Sequence, residues 1–185
     1  INVDHALGIK VTDLRKLAKR VEKSHGLALE LWDTEIHEAR LLATMICPPS
    51  EVTKDQMERW AAEFDSWDTV DQACNNLFRK TPFAHTKAAQ WAARDEEFVK
   101  RAGFALMAVL AVHDRVSKDT IFTGYLDFVK RAAQDDRNFV KKAVNWALRQ
   151  IGKRNRKLNR AAIQSAGRIA KLESKAARWI ASDAL

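Results

Sequence analysis

The chain has 185 residues, of which 46% are hydrophobic and 30% charged, so it can bury a core without disulfide staples and is not a disordered tail. Its longest apolar stretch, Ala102 to Val112, is about half of the ~20 residues that a bilayer crossing needs, so no membrane span is expected. A net charge of +8, from 32 Lys+Arg against 24 Asp+Glu, points to an anionic polymer as partner; the cations are not set against an amphipathic aromatic face, so a membrane surface is not expected.

Six glycines, three prolines and abundant alanine and leucine argue for helices throughout. In chain order the periodicity predicts helices near 10–23, 25–33, 35–46, 53–64, 66–79, 84–92, 95–114, 119–133, 136–151, 156–171 and 174–183. Thr53 before Lys54-Asp55-Gln56 reads as a capping box, and Ser66 and Ser174 read as N-caps. Breaks are expected at Cys47-Pro48-Pro49-Ser50 and at Thr81-Pro82. Cys47 and Cys74 have neither metal nor disulfide spacing, so no metal or cofactor is expected. With no secretory leader read at the start, a reducing cytoplasm is the expected setting, nucleoid-associated in a bacterium.

The chain repeats itself. Phe98-Val99-Lys100-Arg101-Ala102 aligns without a gap on Phe139-Val140-Lys141-Lys142-Ala143, 41 residues later, and acids precede both. Ile36 to Ala43 and Ala176 to Ala181 are weaker copies. Two helices per unit at a period near 40 are the signature of HEAT-like helical repeats, which stack into a curved solenoid. The expected fold is therefore all-α, a single domain over residues 1–185. The equivalent helices would line one groove with a column of cations that includes Arg101 and Lys142.

Three groups could carry chemistry. Trp67 and Asp71 are four apart and share a helix face; Asp68 is one residue from Trp67. The spacing allows a core indole with a solvated acid, or an acid/base pair, or acids that favour the positive helix end. Trp146 and Arg149 share a face too, and Trp146 stands opposite Ala105 in the repeat, either projecting into the groove or filling a space between repeats. Arg101 opens an otherwise apolar helix, which suits a phosphate or an ion pair with Asp71 or Glu97. From Arg149 to Lys157 run the cations Arg149, Lys153, Arg154, Arg156 and Lys157 with no acid among them. No Gly-rich phosphate loop, nucleophile elbow or paired-histidine metal motif is present.

Together the segments Phe64 to Asp71, Phe98 to Ala102 and Phe139 to Arg149 give a sequence that resembles the AlkD-type DNA alkylation repair proteins, which are HEAT-like-repeat DNA glycosylases. The resemblance covers nearly the whole chain. It implies that Trp67 and Trp146 flank the lesion nucleotide's sugar, that Asp71 is the catalytic carboxylate, and that Arg101 and Arg149 contact the DNA backbone. Lys142, Lys153 and Arg154 are the further expected DNA contacts. The implied substrate is duplex DNA with cationic N3- or N7-alkylated purines, hydrolysed to an abasic site by a cofactor-free monomer. The alternatives are a non-catalytic HEAT-like module for damaged or branched DNA, and a protein-binding scaffold.

Overall fold

The computed structural model describes residues 5–185. Among them are eleven α-helices and no strand: α1 (Val11–Arg20), α2 (His25–Asp33), α3 (His37–Ile46), α4 (Lys54–Ala62), α5 (Trp67–Asn76), α6 (Ala84–Ala92), α7 (Glu97–His113), α8 (Asp119–Ala132), α9 (Asn138–Arg154), α10 (Arg156–Ile169) and α11 (Lys175–Ala184). Each expected helix is present, with ends differing by a few residues because capping, which periodicity does not show, decides them. Thr53 caps α4 by accepting from Gln56 N at 3.1 Å, but the Gln56 side chain turns to His25 and Cys47, so the capping box is only half made. Ser174 caps α11, as expected. Ser66 does not cap α5, whereas Asn155 and Ser24 cap α10 and α2.

The chain forms two compact units, one ending at Ala84 and the other beginning at His85. In the first, two layers are visible from their bonds. His25 meets Gln56 at 2.9 Å, and Trp32 stacks on Trp60 with centroids 3.9 Å apart and planes 2° apart, so α2 and α4 run parallel. The Trp32 indole N–H, buried in that stack, donates to Glu63 at 2.6 Å, which spares it the cost of an unpaired buried donor. His37 meets Asp68 at 2.8 Å, and Asn76 donates to Thr44 at 3.0 Å, so α3 and α5 are parallel as well.

The second unit repeats the plan. Arg101 near the start of α7 donates to Phe139 O of α9 at 2.8 Å, and Arg154 at the end of α9 reaches Ala111 O of α7 at 3.1 Å. α9 and α11 are joined in register by Asn145 to Ile180 O at 3.2 Å and by Arg149 to Asp183 at 2.9 Å. In the other layer Asn155 and Asp119 bring the starts of α10 and α8 together. The helices α7 and α9 are both 17 residues long and start and end 41 residues apart, so the repeat seen in the sequence is a repeat of structure.

Burial is deepest on α7, where every residue from Arg101 to Ala111 is buried. Such a helix needs close neighbours on every side, and Gly103 provides the closest: a Cβ there would lie 2.7 Å from Ala92 Cα and 2.8 Å from Trp91 C. The acids that precede each copy of the repeated segment have a structural use. Asp135 bridges Arg137 at 2.6 Å and Lys100 at 3.2 Å, and Arg137 donates onward to Asp95 O at 2.6 Å, which ties the α8–α9 turn to the start of α7. The Arg137 guanidinium holds the Asp135 carboxyl below the ordinary carboxylate range, with Lys100 adding to it.

Two outcomes follow from this packing. Gly103→Ala should destabilise the chain by about 1–3 kcal/mol in denaturant titration, since backbone, not a flexible side-chain end, must move. Because the folded-state pKa of Asp135 is depressed, its stabilisation is present above the ordinary carboxylate pKa of about 4 and is lost as pH falls through the folded value. Thermal midpoints of Asp135→Asn should therefore lie below those of the unaltered chain at neutral pH, with the gap closing below about pH 4.

Candidate functional site

In the first unit the candidate residues sit on α5. Its opening residue, Trp67, remains 44% exposed, and Asp71, one turn on, is half-buried. The pair borders the buried row Val70, Ala73 and Cys74, so both side chains stand at the edge of the core on one face. The turn that launches them is fixed from below. Asp68 takes the Thr69 N–H at 3.1 Å and its other oxygen meets His37 Nε2 at 2.8 Å; the Ser66 hydroxyl bonds Thr69 Oγ1 at 2.8 Å. Asp68 and His37 are thus committed to holding the start of α5 against α3. That removes Asp68 from the acid/base pairing that the spacing alone allowed.

In the second unit the candidates lie on α7 and α9. Lys142, Trp146, Arg149 and Lys153 recur at intervals of four, three and four, which places them in one stripe of α9. The opposite face of the same helix is core: Val140, Ala143, Val144, Ala147, Leu148 and Ile151 are all buried. Trp146 is half-buried within the stripe, and its three cationic neighbours there are exposed. Arg149 pairs with Asp183 of α11 at 2.9 Å, both about two-fifths exposed, an attachment worth about 1 kcal/mol or less that a phosphate can displace.

Arg101 and Lys142 occupy equivalent repeat positions but not equivalent surroundings. Arg101 is 6% exposed and bonded to the first turn of α9, whereas Lys142 stands in solvent. The expected uniform column of cations is therefore interrupted by burial at Arg101. Arg154 departs further from its expected part as a DNA contact. Its guanidinium lies 4.1 Å from the Phe122 ring centroid and donates to Ala111 O, Asp114 O and Ser117 O. Those bonds assign it to anchoring the α7–α8 turn, and the proximity of five cations in sequence gave no sign that one of them would face inward.

One aromatic passed over in the sequence stands beside the stripe. Trp179 of α11 is 39% exposed, with the Lys141 ammonium 5.2 Å from its ring centroid. The signal was present in the weaker repeat copy Ala176 to Ala181, where Trp179 follows Arg178. Among the described residues no three His, Cys, Asp or Glu side chains are grouped closely enough to hold a metal ion, and no helix is long and apolar enough to cross a membrane.

Comparison with known proteins places this geometry in a family. The uncharacterized protein Lin0241 of Listeria innocua is 23% identical over 168 residues, spanning 89% of this chain and 73% of its own length. Lmo0209 of Listeria monocytogenes, also uncharacterized, is 26% identical over 102 residues, 54% of this chain and 46% of its own. A solved structure superposes with a TM-score of 0.81 over 96% of this chain and 81% of that chain, at 20% identity. It is described as representing a new family of proteins related to the HEAT-like repeat DNA glycosylases with affinity for branched DNA structures. At that identity the likeness establishes the HEAT-like repeat fold. The family model for DNA alkylation repair enzymes matches residues 1–185, and the chain belongs to that family.

Proposed function

We propose that the chain is a DNA glycosylase that hydrolyses the N-glycosidic bond of cationic N3- and N7-alkylated purines in duplex DNA. The observation that carries this reading is that α5 sets an exposed indole, Trp67, and a half-buried carboxylate, Asp71, one turn apart on one face, next to a turn held by the His37–Asp68 bond. Trp146, in a stripe of cations on α9, supports it.

The chemistry asks little of such a site. Alkylation at N3 or N7 makes the purine cationic, so it leaves as a neutral base and no general acid is required. What remains is a sugar with oxocarbenium character and a water that must reach C1′. In this reading Asp71 faces the developing positive charge and orients the water, whose proton passes through the carboxylate to solvent. Trp67 presents its indole face to the cationic sugar, worth about 1–2 kcal/mol when desolvated, and Trp146 stands with the cations that meet the DNA. Lys142, Arg149 and Lys153 serve the DNA backbone, and Arg101 and Arg154, turned inward to main-chain carbonyls, serve the fold. The product is an abasic site with the strand intact.

A second reading, binding without catalysis, is favoured by the structural neighbour's described affinity for branched DNA. One assay separates the two. Single-turnover release of N7-methylguanine or N3-methyladenine from methylated duplex is expected from the unaltered chain. Asp71→Asn should lower that rate by about 10²–10³-fold while leaving duplex affinity within a few-fold. No release by the unaltered chain, or full release by Asp71→Asn, would falsify the catalytic reading.

A further inference from the structure

Charge is not spread evenly over the second unit. From Arg137 to Leu172 the sequence contains no Asp or Glu at all. Where α9 ends and α10 begins, this imbalance is concentrated into a groove. A cavity of about 670 Å³ is lined there by Gly152, Lys153, Asn155, Arg156, Asn159 and Arg160. A smaller cavity, about 300 Å³, shares Gly152, Lys153 and Asn159 with it and extends to Arg149 and the Asp183 that pairs with it, the one acidic side chain on its lining. The groove thus continues directly from the lower end of the Trp146 stripe.

Its cations have no task within the fold. Lys153, Arg156, Lys157 and Arg160 are all exposed, and among the described residues none of them makes an ion pair or a side-chain hydrogen bond. Like charges on adjacent turns repel, so holding them together gains the folded chain nothing internally. The base beneath them is rigid. Arg154 is anchored to the α7–α8 turn, Asn155 caps Leu158 N at 2.9 Å and reaches Asp119 at 3.0 Å, and Asn159 donates to Gly152 O at 3.1 Å. Gly152 lies so near α10 that a Cβ would stand 3.1 Å from the Ala162 methyl. Two exposed arginine forks on a fixed elbow, beside a lysine and open space, suit phosphodiesters rather than a single carboxylate.

We propose that this α9–α10 groove holds DNA backbone phosphates lying beyond the nucleotide at Trp146, with Arg156 and Arg160 as their principal contacts. Seven residues of helix separate Trp146 from Lys153, about 10 Å, which equals roughly three nucleotides of one strand. The groove therefore lengthens the DNA footprint to one side of the lesion. The inference rests on the reading that the Trp146 stripe faces DNA, but not on base release.

The test measures affinity against salt for the unaltered chain and for Arg156→Gln/Arg160→Gln. Three duplexes carry the same lesion: one long on both sides, and two cut back to about two nucleotides on one side or the other. On the fully long duplex the double variant should bind more weakly. Its slope of log K against log salt should be shallower by about 1.8, at about 0.9 for each phosphate that is no longer neutralised. On the duplex cut back on the side of the groove, the variant and the unaltered chain should bind alike. Arg156→Lys/Arg160→Lys, which keeps both charges, should retain most of the salt slope. An unchanged slope on the long duplex, or an equal loss on all three, would overturn the proposal. Because both readouts are of binding, this outcome stands apart from the base-release assay: a chain that releases base yet shows no effect of the double variant loses only the groove.

Discussion

A helix that lies inside a repeat stack cannot leave its buried polar groups to water, and the way this chain meets that demand orders the rest of the structure. Arg101 is nearly sealed from solvent, and its guanidinium donates to the main chain of the next helix in the layer at Phe139 O. Asn145, buried in α9, does the same one repeat later at Ile180 O. Leaving such a donor unmet would cost about 1–3 kcal/mol, so each bond both satisfies a polar group and fixes the register of the following helix. Parallel alignment of α7, α9 and α11 follows from these cross-repeat bonds, and the exposed stripe of α9 follows from the alignment. In the first unit the His37–Asp68 and Asn76–Thr44 contacts set α5 against α3 in the same manner.

The two groups of candidate residues inherit different kinds of support. Trp67 and Asp71 depend on a network of neighbouring polar side chains at the head of α5, and the acid most exposed to misreading, Asp68, belongs to that network. The stripe of α9 depends instead on an apolar face, Val140 through Ile151, whose burial leaves the opposite side no choice but solvent. The two kinds of support differ in reach: the α5 network fixes one turn, whereas the apolar face of α9 orients the whole helix.

Much of the fold was legible because its signals are local. Helix periodicity, scarce glycine and proline, and a gapless copy of Phe98 to Ala102 at Phe139 to Ala143 sufficed for eleven helices and for the repeat. Spacing alone put Trp67 and Asp71 on one helix face but left their use open. What the residues could not disclose were partners distant in sequence. Nothing near Asp68 announces His37, 31 residues earlier, and nothing near Arg154 announces the carbonyls of Ala111 and Asp114. Arg101 and Lys142 are matched in sequence yet opposite in exposure, because burial is decided by what packs above each helix. Ser66 failed as a cap for a similar reason: Thr69 offered its hydroxyl a nearer partner.

The contrast between α7 and α9 bears on how relatives with this fold could diverge. Along α7 every position from Arg101 to Ala111 is enclosed, and at Gly103 even a methyl group meets neighbouring backbone. Variation there carries a penalty at almost every site. The α9 stripe is its opposite: Lys142 and Lys153 are exposed, so their exchange leaves stability within about half a kcal/mol, and Arg149 adds only its pair with Asp183. A lineage can thus keep one helix nearly invariant as a frame and rewrite its neighbour freely. Ligand preference in such a scaffold can drift over many generations without passing through unfolded intermediates.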